Sequence, residues 1–209
     1  MLREILTEAQ QAVLELLGRI VEVRTFYLAG GTALALHLGH RRSRDFDLFR
    51  AADFMPQELL AALRPAGELA VLREGAGTLT VAVRGVPVSF FAYDYPLLGP
   101  LHGSPWSLPV ADPADIAAMK VAALAGRGSR KDFVDLYFWA HRVAPLERAF
   151  ESFRAKYRGT AVDPYHLLRS LTFFDDAEAE AMPDLLVGVS WEEIRTFFRT
   201  EAARLFGVL

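Results

Sequence analysis

Two aspartates one residue apart, in the run Asp45-Phe46-Asp47-Leu48-Phe49, are the side chains of this sequence best placed to do chemistry. In a β-strand, alternation puts both carboxylates on one face and Phe46 and Leu48 on the other, which is buried. Carboxylates so close repel. Keeping both ionised calls for a cation between them, and hard oxygen donors in this arrangement suit Mg²⁺ or Mn²⁺ with a substrate phosphate. On its own such a pair is more often a solvated stretch of edge strand. Upstream, however, Gly30-Gly31-Thr32 falls where a strand-like segment, Thr25 to Ala29, gives way to a helix-forming one, Thr32 to Leu38. Glycine lets backbone come close to a phosphate, and a helix N-terminus offers free N–H groups.

The elements that must hold these residues follow from periodicity. Ile5 to Val23 carries Ile5, Ala9, Ala12, Val13, Leu16, Leu17 and Ile20 at helical steps, the stripe of an amphipathic helix that packs without carrying chemistry. After a helix behind Pro56, the stretch from Leu69 to Phe91 reads as a β-meander broken at Gly75-Ala76-Gly77 and Arg84-Gly85. Pro96 to Pro109 is a Gly- and Pro-rich loop, and everything beyond it is helical. Asp112-Pro113 opens one helix, and Ser129 with Asp132 and Ser190 with Glu193 are capping-box spacings that open others near 130–141 and 191–206. The predicted domains are therefore 1–97, a mixed-sheet core with an N-terminal helix, and 98–209, a helical region completing the site.

With 209 residues, 52% of them hydrophobic, the chain can bury a core, and a net charge of −3 announces no strongly basic nucleic-acid binder. The absence of cysteine removes disulfides, thiolate metal sites and cysteine nucleophiles. Arg3, Glu4, Glu8 and Glu15 interrupt the first leucines, and Phe26 to Gly39 is too short to span a bilayer, so a cytoplasmic protein without a membrane partner is expected.

Strand, Gly-Gly, helix, strand and D-h-D in this order resemble the signature of nucleotidyltransferases. FYLAGGTALALHLGHRRSRDFDLF resembles the opening motif of the AbiEii/AbiGii toxin family, including R-x-S-x-D at Arg41, Ser43 and Asp45. DIAAMKVAALAGRGSRKDFVDLYFW is similar to that family's second signature, a lysine helix followed by R-x-K-D-x-x-D. The resemblance covers roughly residues 25 to 140. It implies an α+β fold with a minimal, polymerase-beta-like nucleotidyltransferase sheet, an N-terminal helix and a helical C-terminal region. It also implies NMP transfer from an NTP to an acceptor hydroxyl by a toxin of a toxin–antitoxin or phage-defence operon, with an NTP, a tRNA or other RNA acceptor and a separately encoded antitoxin as partners. Asp45 and Asp47 are its metal ligands and, with Lys120 and Asp132, its catalytic set. Gly30, Gly31, Thr32, Arg41, Ser43 and Lys131 are its nucleotide-binding residues.

Each later residue also has a plainer reading. Lys120 sits on a face of Ile, Ala and Leu, where a lysine wants an anion or snorkels to water. Asp132 could be the acidic half of a cap with Ser129, and Lys131 with Asp135 an exposed i,i+4 pair worth about 0.3 to 0.5 kcal/mol. Arg148, Arg154, Lys156 and Arg158 read as a solvated helix face sooner than an RNA contact, and Phe173, Phe174, Phe197, Phe198 and Leu205 as core packing, not a base-stacking platform. Many nucleotidyltransferases add a third carboxylate from a later strand. Here that place falls on Ser89, with Asp94 the only acidic residue between Arg84 and Asp112. Three alternatives follow: Asp94 reaches the site, metal activation suffices alone, or the protein is a catalytically weak nucleotide- or partner-binding relative.

Overall fold

Gly-Gly punctuation and β-alternation build the first unit, and amphipathic helical periodicity builds the second. In the computed structural model, which describes residues 1–160 and 163–206, the chain divides into Met1–His37 with Ser43–Asp112, and Leu38–Arg42 with Pro113–Leu209.

The first unit opens with helix α1 (Glu8–Leu17), followed by β1 (Tyr27–Ala29), α2 (Gly30–Leu38), β2 (Phe46–Arg50), α3 (Pro56–Leu63), β3 (Leu69–Gly75), β4 (Thr78–Val83) and β5 (Val86–Ala92). The strands form one mixed sheet in the order β1-β2-β5-β4-β3. The expected meander is present as the antiparallel pairs β3–β4 and β4–β5, while β2 lies antiparallel to β1 and parallel to β5. Burial of Phe46, Leu48, Val81, Val88 and Phe90 supplies the core under the sheet.

Helix α1 differs from the expected one in length and in the face it buries. It starts after a capping box in which Gln10 N–H donates to Thr7 Oγ1 and Thr7 N–H donates to the Gln10 side-chain oxygen. Its buried stripe is Gln10, Val13, Leu14 and Leu17, with Ala9 and Ala12 exposed. Val13 and Leu17 of the expected stripe are buried, but Leu14 takes the inner place expected of Ala9 and Ala12 because its larger side chain removes more apolar area from water.

The division also falls later than position 97, after Asp112. Segment 98–112 stays with the sheet because Leu28 N–H donates to Pro109 O at 2.8 Å and Ala111 N–H to Leu28 O at 2.9 Å. Trp106 is buried there, so close to Gly18 that a Cβ on Gly18 would lie 1.7 Å from the Trp106 carbonyl oxygen.

The second unit contains α4 (Pro113–Gly126), α5 (Arg130–Arg142), α6 (Leu146–Lys156), α7 (Pro164–Ser170), α8 (Asp175–Glu178) and α9 (Trp191–Phe206). Trp139, Phe133 and Phe198 are fully buried in it, and Phe133 meets Phe198, Phe174 and Trp191 ring to ring at 5.1 to 5.7 Å. The capping box of Ser190 with Glu193 opens α9 as expected. Leu38–Arg42 belongs to this unit because Leu186 N–H donates to His40 O and Arg42 N–H to Asp184 O. Lys156 lies at no solvated face. Its Nζ donates to Asp115 Oδ1 at 2.7 Å, with both side chains fully buried.

Candidate active site

In the sheet unit the site begins at the end of β1. The chain turns into α2 through Gly30 at φ +69°, a left-handed conformation that costs any residue with a Cβ about 1 to 2 kcal/mol. A Cβ there would also lie 2.6 Å from Asp47 Oδ2. The Asp47 carboxylate thus rests against the bare Cα at the start of α2, where the helix presents its unpaired N–H groups.

Strand β2 begins at Phe46, so Asp45 sits just before it and Asp47 within it. Both are half-buried while Phe46 and Leu48 are buried, the alternation that leaves the two carboxylates on one side. Asp45 is fixed from two directions. Ser43 Oγ donates to Asp45 Oδ1 at 3.2 Å, and Thr32 Oγ1 donates to Asp45 O at 2.5 Å, tying α2 to the segment leading into β2. The Thr32 hydroxyl, expected to cradle phosphate, is therefore engaged with backbone. Ser43 is itself held by Gln10, whose Nε2 donates to Ser43 O at 2.7 Å. Gln10 is a positioning residue that composition alone passed over. The one polar side chain on a leucine stripe, three residues after a threonine, was the available signal.

On the far side of β2, Asp47 is in register with Ser89 of β5. Ser89 Oγ lies 3.2 Å from Thr80 Oγ1 of β4, so the row next to Asp47 carries hydroxyls and no carboxylate. Asp94 is exposed and lies beyond the end of β5, past the Tyr93 N–H that donates to Arg50 O. At ~3.3 Å per residue it is ~16 Å along the strand from the Asp47 row, and it does not supply the third carboxylate. Among the described residues no group of three or more His, Cys, Asp or Glu is arranged to hold a metal ion. Asp45 and Asp47 fit the incomplete kind of site. Mg²⁺ is commonly held by one or two carboxylates, with waters and substrate phosphates completing its shell.

In the helical unit the chemistry is different. Lys120 on α4 donates to Asp132 Oδ1 at 2.7 Å and lies 2.6 Å from Asp135 Oδ2, both on α5. Arg41 grips Asp135 with two parallel bonds, Nε to Oδ1 at 2.6 Å and Nη2 to Oδ2 at 2.9 Å, and His40 Nε2 reaches Oδ1 at 2.8 Å. Ser129 Oγ and Arg127 Nε both donate to Asp132 Oδ2, at 2.6 and 3.3 Å. Lys120, Asp132, Asp135, Arg41 and His40 are all buried.

Burial alone would raise the Asp135 carboxyl, but Arg41 and then Lys120 outweigh it and hold it well below the usual range. Burial works against charge at Asp132 too, and Lys120 brings it down. It also opposes the Lys120 ammonium, yet Asp135 and Asp132 leave that group above its ordinary value. His40 goes the other way. Burial lowers it despite the Asp135 bond, so the neutral ring donates from Nε2 and its Nδ1 has no partner among the described residues.

Several expectations change here. Ser129 makes no side-chain cap bond at the start of α5, because its hydroxyl is given to Asp132. Lys131 and Asp135 form no exposed pair: Asp135 is fully buried on other partners, while Lys131 is exposed and outside the cluster. Arg41 is clamped on Asp135 and Arg42 O instead of offering its fork to a phosphate. His40, silent in the sequence beside a helix-ending glycine, is a full member of the cluster.

Comparison with known proteins decides the family. The model of the nucleotidyl transferase AbiEii toxin of type IV toxin–antitoxin systems matches residues 15–96 and 79–203. The chain belongs to the AbiEii family. It is 36% identical over 199 residues to an uncharacterised protein of Aquifex aeolicus (strain VF5), covering 93% of this chain and 94% of that one. Its fold is similar to that of the nucleotidyltransferase toxin MenT4 of Mycobacterium tuberculosis H37Rv, with a TM-score of 0.66 at 20% identity over 93% of this chain and 80% of that one. A candidate nucleotidyltransferase of H. pylori gives a TM-score of 0.56 at 17% identity over 98% and 99% of the two chains. The residues on which the sequence resembles this family fall in both units: Gly30, Gly31, Asp45 and Asp47 in the sheet unit, Lys120, Asp132 and Asp135 in the buried cluster. Among the described residues, no helix is long and apolar enough to cross a membrane.

Proposed function

We propose that this nucleotidyltransferase-family toxin moves a nucleoside monophosphate from an NTP to an acceptor hydroxyl, using Mg²⁺ or Mn²⁺ held by Asp45 and Asp47. The observation carrying this reading is the Asp47 carboxylate against Gly30, where a Cβ would be strained and would crowd Asp47 Oδ2 and where the N-terminus of α2 favours negative charge. Bound there, the ion would supply Lewis-acid neutralisation of phosphate charge. Gly30 and Gly31 let the α2 backbone approach a phosphate. Thr32, Ser43 and Gln10 hold Asp45 in place, and Arg41 holds Asp135. Lys120 and Asp132 keep the catalytic role that family resemblance gives them, and Lys131, exposed, remains a nucleotide contact on the same ground alone. An RNA acceptor such as tRNA, a cytoplasmic setting and a separately encoded antitoxin follow from the family in the same way.

The test is to incubate the protein with each α-labelled NTP, Mg²⁺ or Mn²⁺ and total bacterial RNA, beside Asp47→Asn. Label in RNA or protein that requires Asp47 and metal supports transfer. NTP binding without label in any mixture favours a second reading, a nucleotide-binding relative with little catalysis, for which the serine opposite Asp47 is the motivating observation.

A further inference from the structure

A cavity of about 430 Å³ lies within the helical unit, among Leu124–Gly128 at the end of α4, α7 and the residues up to Asp176. Its size is that of a small-ligand site. Three of its walls are chemically unusual. The Arg169 guanidinium makes no hydrogen bond or ion pair among the described residues. Arg127, 63% exposed, uses only Nε, on Asp132, which leaves both Nη groups without a partner there. Phe173, expected in the core, is 52% exposed and makes no ring contact among the described residues, whereas the adjacent Phe174 is buried. His166 is held on the wall by a 2.8 Å bond from Nε2 to Ala125 O, and Asp176 adds an exposed carboxylate.

We propose that this cavity binds a nucleotide unit, with the phosphate between Arg127 and Arg169 and the base on Phe173. Guanidinium forks match phosphate oxygens, and an exposed ring stacks on a base whatever its identity. Asp176 separates a nucleotide from other phosphate-bearing rings, since it can accept from the N–H groups at a nucleobase edge but would only repel a phosphorylated phenol. The ligand has two sources with this shared chemistry, a free nucleotide or one unit of a strand. Arg127 also links the cavity to the buried cluster through Asp132. The proposal concerns binding and stands independently of whether the protein transfers nucleotides.

The test is equilibrium binding without NTP or divalent metal. Anisotropy of a 5′-labelled oligoribonucleotide is followed directly and in competition with nucleoside monophosphates, phosphotyrosine and inorganic phosphate. The expected result is saturable binding weakened about ten-fold or more by Arg169→Glu and by Phe173→Ala, but not by Arg148→Glu, a cation outside the cavity. Competition by monophosphates as strong as by unlabelled strand assigns the free-nucleotide source; much weaker competition assigns the strand. The inference is overturned by absence of binding, by equal loss in Arg148→Glu, by no loss in the cavity variants, or by competition from inorganic phosphate or phosphotyrosine matching that of nucleotides and strand. Asp47→Ala protein serves equally well, so failed transfer and failed binding are distinguishable.

Discussion

The carboxylates of the sheet unit and those of the helical unit are prepared for opposite tasks. Asp45 and Asp47 are half-buried, Asp47 set against a bare glycine at a helix N-terminus and Asp45 accepting from Ser43 Oγ. Asp132 and Asp135 are fully buried and already neutralised by Lys120, Arg41 and Arg127, with hydrogen bonds from Ser129 and His40. A half-open pair can accept a cation from solution. A saturated buried cluster instead fixes side chains, and a single lost partner leaves charge stranded in a low-dielectric interior. Charge removal in the first pair should therefore cost folding less than in the second, where it should cost stability as well as whatever part Lys120 and Asp132 take in the chemistry.

The largest effect that separates them is on stability. Asp135→Asn takes from buried Arg41 its carboxylate partner and leaves Lys120 with Asp132 alone, and is expected to destabilise the protein by about 3 to 5 kcal/mol, read from the denaturation midpoint. Asp47→Asn should lower the same midpoint by less than Asp135→Asn does, because Asp47 is half-buried where Asp135 is fully buried. If both variants unfold alike, the contrast between the units is wrong.

In transfer the order reverses. Asp47→Asn is expected to cost about 10²- to 10³-fold in kcat, the scale of losing one group that stabilises developing charge. Gly30→Ala lies between the two. The left-handed backbone costs about 1 to 2 kcal/mol, and the added Cβ must displace Asp47 Oδ2, so both stability and transfer should fall. An alanine variant that lost stability but kept full transfer would show that the seating of Asp47 against Gly30 has no role in the chemistry.

What could be read in advance follows the same division. Gly30-Gly31, Asp45-x-Asp47 and the meander are local patterns, and each strand or helix they implied is present. The buried cluster is built from contacts distant in sequence. Asp135 is 95 positions from His40 and 94 from Arg41, so no spacing rule links them. Arg41 reads as a phosphate ligand through the R-x-S-x-D resemblance, and Lys131–Asp135 as a surface pair because a charged side chain defaults to solvent until its partner is known. Gln10 escaped for the same reason, since its partner is the Ser43 carbonyl across the fold. Phe173 and Phe174 share one pattern, and only the tertiary packing buries one and leaves the other exposed.

The smallest effect is the pH dependence of the buried cluster. His40 faces Asp135, Arg41 and Arg142, and burial lowers its pKa below the ordinary value. Below about pH 6.5 the unfolded chain takes up this proton before the folded one does, so stability is full above that value and falls as pH drops toward the folded pKa. The slope is bounded by about 1.4 kcal/mol per pH unit for one proton. Asp132 and Asp135, both depressed, keep their contribution throughout this window and lose it only below the carboxylate range, near pH 3.9 and under. Lys120, raised, keeps its own until pH exceeds about 10.4. His37 in the sheet unit is also lowered, first by burial, and titrates in the same direction. His40→Gln keeps a donor for Asp135 and removes the titration, so its unfolding free energy should lose part of the slope between pH 6.5 and 5, and His37→Gln should remove a further part. An unchanged slope in His40→Gln would mean that the cluster admits a proton on His40 without penalty, contrary to a ring held neutral with Nε2 on Asp135.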